Sequence, residues 1–153
     1  MADDVEFHDY SIEVKKAMNS RIEAALAECA GELVSQVKRN SRVDTGKTKN
    51  SFRYGISRNF ADGSFTAHIG SSDENAIWEE FGTGEYALNG DGRKGGWWYK
   101  NPKAKYTKTG KLRKGSREFI FTYGKKPSRA FWNAFIKKKD KIIKRIQNSL
   151  KGM

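Results

Sequence analysis

Two short strings in this chain carry residues that could handle a phosphate. In "AIWEEFGTGEYA" (76–87), Gly82 and Gly84 with Ala87 satisfy the spacing G-x-G-x-x-A. That spacing cradles a dinucleotide pyrophosphate when a buried strand precedes it, a helix starts within it and an acid follows about twenty positions on. Here "WEEF" precedes the first glycine, so two carboxylates would repel the pyrophosphate. The sequence behind it, "EYALNGDGRKGG", breaks helices, and about twenty positions past Gly84 the chain reads "KAKY", without an acid. The second string, "SRVDTGKT", ends like a phosphate-binding loop but has Ser41 where the loop requires glycine. It also follows a helical pattern and precedes a strand pattern, the reverse of what that loop needs. Neither string predicts nucleotide binding.

Other chemistry has no better footing. His8 and His68 are far apart in sequence, and no Cys or His spacing resembles a zinc site. Glu79 and Glu80 are adjacent, so they diverge on either a helix or a strand. His68 lacks a nucleophile elbow to serve. Cys29 is the single cysteine and reads as a small buried helix residue. The expectation is a protein without catalysis, cofactor or metal.

Charge is more informative. Residues 1–87 hold ten Lys/Arg against fifteen Asp/Glu, whereas 88–153 hold twenty against three. Such asymmetry predicts a polyanion or an acidic protein surface as partner of the C-terminal part. From Arg93 to Arg129, thirteen basic residues are mixed with Trp97, Trp98, Tyr99, Tyr106, Phe119, Phe121 and Tyr123. Basic side chains neutralise phosphates and aromatic faces stack on bases, so a non-sequence-specific nucleic-acid-binding protein is the alternative reading. The same aromatics also suit an ordinary packed hairpin. No run approaches the roughly 20 apolar residues that span a bilayer, and the acidic start "MADDVEFHDY" is unlike a signal peptide. The expectation is synthesis in a cytoplasm and no membrane partner.

The elements that must position these residues follow from periodicity. Val14, Met18, Ile22, Leu26, Cys29, Leu33 and Val37 recur at steps of three and four, predicting one amphipathic helix from about Tyr10 to Arg39. At about 1.5 Å per residue it would be roughly 45 Å long, so it should bend, break near Gly31 or pack partly against another subunit. "SFRYGI" and "SFTAHIG" alternate and are joined through Asp62-Gly63, predicting an antiparallel pair. "ENAIWEEF" is a short helical or extended piece. "WWYK" and "REFIFTYG" predict a second hairpin with "NPKAKYTKTGKLRKGS" as its long basic tip, in a glycine-rich basic arm, 88–117. Helical period returns after Pro127, with Ser128 as N-cap and Trp132, Phe135, Ile136, Ile143, Ile146 and Leu150 on one face. The class is α+β: a long N-terminal helix, a small antiparallel sheet with a long basic hairpin arm, and a C-terminal helix packed on the sheet, in one domain spanning 1–153.

In order along the chain, "VDTGKTKNSF", "AHIGS", "AIWEEFGTGEYA", "GRKGGWWYKNP" and "TYGKKPSRAFWNAF" resemble the gene-product-ten-like morphogenesis family of siphophages and prophages. The resemblance runs from the first helix to the last. Its most specific parts are D-T-G followed by Ser-Phe, E-F-G-T-G, and Pro…Ala-Phe-x-x-Ala-Phe. It implies a minor structural protein of the virion neck that forms a ring joining the DNA-filled head to the tail, as connector or tail-completion protein. The implied partners are further copies of the chain, neighbouring head-closure, tail-terminator or tail-tube proteins, and genomic DNA in the lumen. The motif residues then have mechanical roles. Asp44, Thr45 and Gly46 redirect the chain toward Ser51 and Phe52. Trp78 and Phe81 anchor the segment before the turn Gly82-Thr83-Gly84, Glu80 stands between them as a motif residue, and Pro127, Phe131 and Phe135 open the last helix. Glu79, Glu80 and Glu85 form an acidic edge for the basic arm of the next subunit. Lys103, Lys105, Lys108, Lys111, Arg113 and Lys114 in that arm meet DNA or that neighbour.

Overall fold

A computed structural model of the protein describes residues 8–104 and 117–151, so five arm residues (Lys105, Lys108, Lys111, Arg113 and Lys114) lie outside the described residues. The class is α+β, and the chain divides into two compact units, 1–72 with 133–153, and 73–132.

In the first unit, α1 (Ser11–Asn40) is a single helix of 30 residues. It neither breaks nor stops at Gly31, against whose position the Tyr54 ring lies. Asp9 Oδ1 accepts the Ser11 amide at 2.9 Å, and at the far end Ser41 Oγ donates to the Val37 carbonyl at 2.8 Å. The apolar stripe is buried only in its second half, through Ala25, Cys29, Ala30, Leu33, Val34 and Val37. Ile12 (64% exposed) and Val14 (53%) stay in solvent. The loop to the short helix α2 (Lys47–Ser51) turns at Gly46, whose φ of 81° favours glycine.

Strand β1 (Phe52–Arg58) then pairs antiparallel with β2 (Phe65–Ser71), in a register that sets Phe52 opposite Ser71 and Arg58 opposite Phe65. Asp62-Gly63 lies in the turn, as expected, with Gly63 at φ 71°. Strand alternation gives two unlike faces. Phe52, Tyr54, Ile56, Phe65, Ala67 and Ile69 share the side toward α1, while Arg53, Gly55, Ser57, Thr66, His68 and Gly70 are exposed on the other. Ser57 Oγ lies 3.0 Å from His68 Nε2.

The helix α4 (Ala130–Lys151) contributes most of its length to this unit. Its packed residue there is Ala134, fully buried, and its anchor is Glu32 of α1. That carboxylate accepts from Lys138 Nζ at 2.7 Å, Lys141 Nζ at 2.9 Å and Arg145 Nη1 at 3.1 Å. The expected apolar face of α4 is therefore only in part the buried one. Phe135, Ile136, Ile143 and Leu150 are exposed, whereas Ile146 of that face is half-buried with Ile142, on the side where Lys138 and Arg145 meet Glu32.

In the second unit, "ENAIWEEF" resolves as the helix α3 (Asn75–Phe81). A 3-10 turn, Gly84–Tyr86, follows. Strands β3 (Trp97–Lys100) and β4 (Phe119–Thr122) form the second hairpin, with Trp98 opposite Phe121. Trp98, Phe121 and Tyr123 stack edge to face at 5.3 and 5.1 Å between centroids, which stiffens the ribbon.

Candidate functional site

The "FGTG" turn lies in the second unit, and its amides decide what it can do. The Gly82 amide donates to Trp78 O at 3.0 Å, Thr83 to Lys125 O at 2.9 Å and Glu85 to Tyr123 O at 2.9 Å. The Gly82, Thr83 and Glu85 amides, which a phosphate cradle would need free, are already satisfied by carbonyls. Lys125 N returns a bond to Thr83 Oγ1 at 2.9 Å, so 83–85 runs alongside 123–125 as a paired backbone segment.

Glycine is required there by proximity. A Cβ on Gly84 would stand 2.2 Å from Tyr123 O and 2.7 Å from the Trp97 ring, and Gly84 has φ 61°. A Cβ on Gly82, at φ 78°, would meet Lys125 O and Pro127 Cδ, each at 2.9 Å. Two motifs separated by some forty residues in sequence thus meet at one place: E-F-G-T-G closes on the segment that carries Pro127.

The carboxylates complete the clamp. Glu80 accepts the Phe131 amide at 2.9 Å and the Trp132 amide at 2.8 Å, taking two of the four donors a helix N-terminus leaves unpaired. Ser128, expected as the N-cap, lies before the helix instead. Its amide and Oγ both donate to the Glu79 carbonyl, at 2.7 and 3.0 Å, and α4 starts at Ala130. Between them Arg129 has φ 52°, the one non-glycine positive φ among the described residues, and its guanidinium lies 5.2 Å from the Trp132 ring. Glu79 pairs with Lys125, and Glu85 accepts the Gly95 amide at 3.2 Å. Each of the three acids expected to form an edge for a neighbour has a partner inside this unit.

The remaining motif residues fall as follows. Asp44, Thr45 and Gly46 turn the chain in the first unit, where the Gly46 carbonyl accepts from Asn50 N at 2.9 Å. Ser51 Oγ bridges to Thr48 O at 2.7 Å and Ser71 Oγ at 2.5 Å, and Phe52 is buried. Phe135 is half exposed on α4. In the second unit Trp78 and Phe81, read as anchors, are exposed and line an open hollow of about 590 Å³ with Ile77, Arg93 and Trp97. A second groove of about 610 Å³ runs over the ribbon, lined by Trp98, Lys103, Arg117, Phe119 and Phe121. Sequence reading missed Gly92, Gly96 and Gly124, at each of which a Cβ would lie within 2.5 Å of another atom, and it missed the cluster around Glu32.

Cys29 is buried in α1, and burial pushes its thiol above the ordinary range, which leaves it protonated and unreactive. Among the described residues no group of His, Cys, Asp or Glu is gathered to hold a metal ion, and no helix is long and apolar enough to cross a membrane.

Paired backbone, a carboxylate-capped helix start and glycines at close approach make this turn a packed structural joint. The family described as "Bacteriophage HK97-gp10, putative tail-component" matches residues 6–82, and the chain belongs to that family. It is a bacteriophage structural protein of the tail-component class, and the match ends inside the turn, at Gly82. No curated protein and no solved structure matches the chain significantly.

Proposed function

We propose that the protein is a ring-forming component of the phage neck, made in the host cytoplasm and built in between the DNA-filled head and the tail. The carrying observation is apolar surface left in solvent on both long helices: Ile12 and Val14 of α1, and Ile136, Ile143 and Leu150 of α4, each at least 42% exposed. Membership of a tail-component family supplies the assembly in which such surface is covered. A closed cyclic array covers it without leaving open ends. Its neighbours are then head-closure, tail-terminator or tail-tube proteins, and its work needs no catalysis and no cofactor.

Electron microscopy of virions carrying a tagged copy tests this. A ring of tag density at the head–tail junction is the expected result. Density along the tail shaft or at its distal tip overturns the neck assignment.

A second reading rests on the groove of the second unit, where Trp98 and Phe119 lie beside Lys103 and Arg117. It assigns the arm to genomic DNA instead of a protein neighbour, with Lys105, Lys108, Lys111, Arg113 and Lys114 continuing the basic run in sequence.

A further inference from the structure

The β1–β2 hairpin has a property that its two faces do not reveal. Asn59 N donates to Ser64 O at 2.9 Å, which makes Asn59 and Ser64 a hydrogen-bonded pair of the antiparallel ladder. Pairs alternate along such a ladder between hydrogen-bonded and non-hydrogen-bonded. Counting from Asn59–Ser64 along the observed register, Ser57–Thr66, Gly55–His68 and Arg53–Gly70 are hydrogen-bonded. Arg58–Phe65, Ile56–Ala67 and Tyr54–Ile69 are not, so the backbone N–H and C=O groups of these six residues point away from the hairpin. Among the described residues each strand pairs only with the other, so both edges are open.

The two edges differ in protection. Natural sheets guard an open edge with charge, proline or a bulge. β1 carries Arg53 and Arg58, but β2 reads "FTAHIGS", seven residues with no proline and no Lys, Arg, Asp or Glu. Its pairing with β1 is unbroken by any bulge. Such a strand is a template for another extended chain.

We infer that β2 of one copy pairs antiparallel with β1 of the next copy, so that the ring is stitched by a continuous sheet. This rests on the ring reading and names its contact. The occupant is a second copy because the hairpin presents both halves of the joint. Both strands are seven residues long, and the outward groups of Phe65, Ala67 and Ile69 match those of Tyr54, Ile56 and Arg58. All six side chains lie on the α1 side, so pairing them keeps every helix on one side of the sheet. Three such residue pairs give about six hydrogen bonds per joint, since each hydrogen-bonded pair exchanges two. The contact is heterologous, and repetition of it closes a ring while removing every edge.

Residue-resolved amide hydrogen exchange on the full chain, in dilute monomer and in the assembled state, tests the joint. In the monomer the amides of Thr66, His68 and Gly70 should be protected, and those of Phe65, Ala67, Ile69, Tyr54 and Ile56 should exchange fast. On assembly the second set should slow by about tenfold or more. An assembled ring in which that set still exchanges at the monomer rate overturns the joint and leaves the ring reading intact. Protection already present in the dilute monomer shows the edges covered within one chain and also overturns it. A chain that stays monomeric at every concentration removes both readings.

Discussion

Glu80 connects two motifs through a single carboxylate. Its oxygens meet the Phe131 and Trp132 amides where the positive end of the α4 dipole lies, so both hydrogen bonding and charge favour the contact. The turn that this glutamate precedes invites a catalytic reading of adjacent acids, yet the geometry gives it a capping role. Glu80→Ala should lower stability by about 1–2 kcal/mol in denaturant titration, and Glu80→Gln by less, since an amide oxygen still accepts one bond. Equal stability of both variants and the parent chain would show that the first turn of α4 does not depend on this cap. The sequence did not reveal the role, because the partner amides lie some fifty positions away and any helix start offers free donors.

At the scale of elements, Glu32 links α1 to α4, and its environment sets a pH window. Hydrogen bonds from Lys138 and Lys141 hold its carboxyl down at about 2, against an ordinary value of 4.5. A carboxyl depressed in the folded state stabilises fully above its unfolded value and loses that contribution as pH falls through the folded one. The parent chain should therefore exceed Glu32→Gln in stability by about 2 kcal/mol at neutral pH, a figure reduced for partial solvent access. The gap should close between pH 4.5 and about 2 in thermal melts. A gap unchanged across that range would remove the ion cluster as the tie between the helices. The elements themselves were largely legible: α1, both hairpins and α4 follow from period and turn residues. The face on which α4 packs was not. A count of large apolar residues selects Ile136, Ile143 and Leu150, which stay exposed, whereas the buried side holds Ala134, the half-buried Ile142 and Ile146, and cations answering one glutamate. Hydrophobic period locates a helix but does not distinguish a face packed within the chain from one kept for a neighbour.

For the whole molecule, the question is what the basic C-terminal part opposes. The expected acidic edge is occupied by contacts of its own unit, through Lys125, the Gly95 amide and the start of α4, so a joint built on those acids would have to break them first. On the second reading proposed above, the arm meets DNA instead of those acids of a neighbour, and a polyanion is its counterpart. Phosphate contacts release condensed cations, so duplex affinity should fall linearly in logarithm with salt, at a slope near −0.9 per phosphate engaged. Lys103 and Arg117 flank the aromatic groove, so neutralising both to Gln should shallow that slope by about 2, uniformly across sequences. Trp98→Ala should leave the slope unchanged while weakening binding to single strands, because stacking carries no counterion. Filter binding over a salt series measures all three. If the parent chain shows no duplex binding near physiological salt, the charge of residues 88–153 serves a protein surface, and its acids must come from a neighbouring virion protein rather than from the E-F-G-T-G turn.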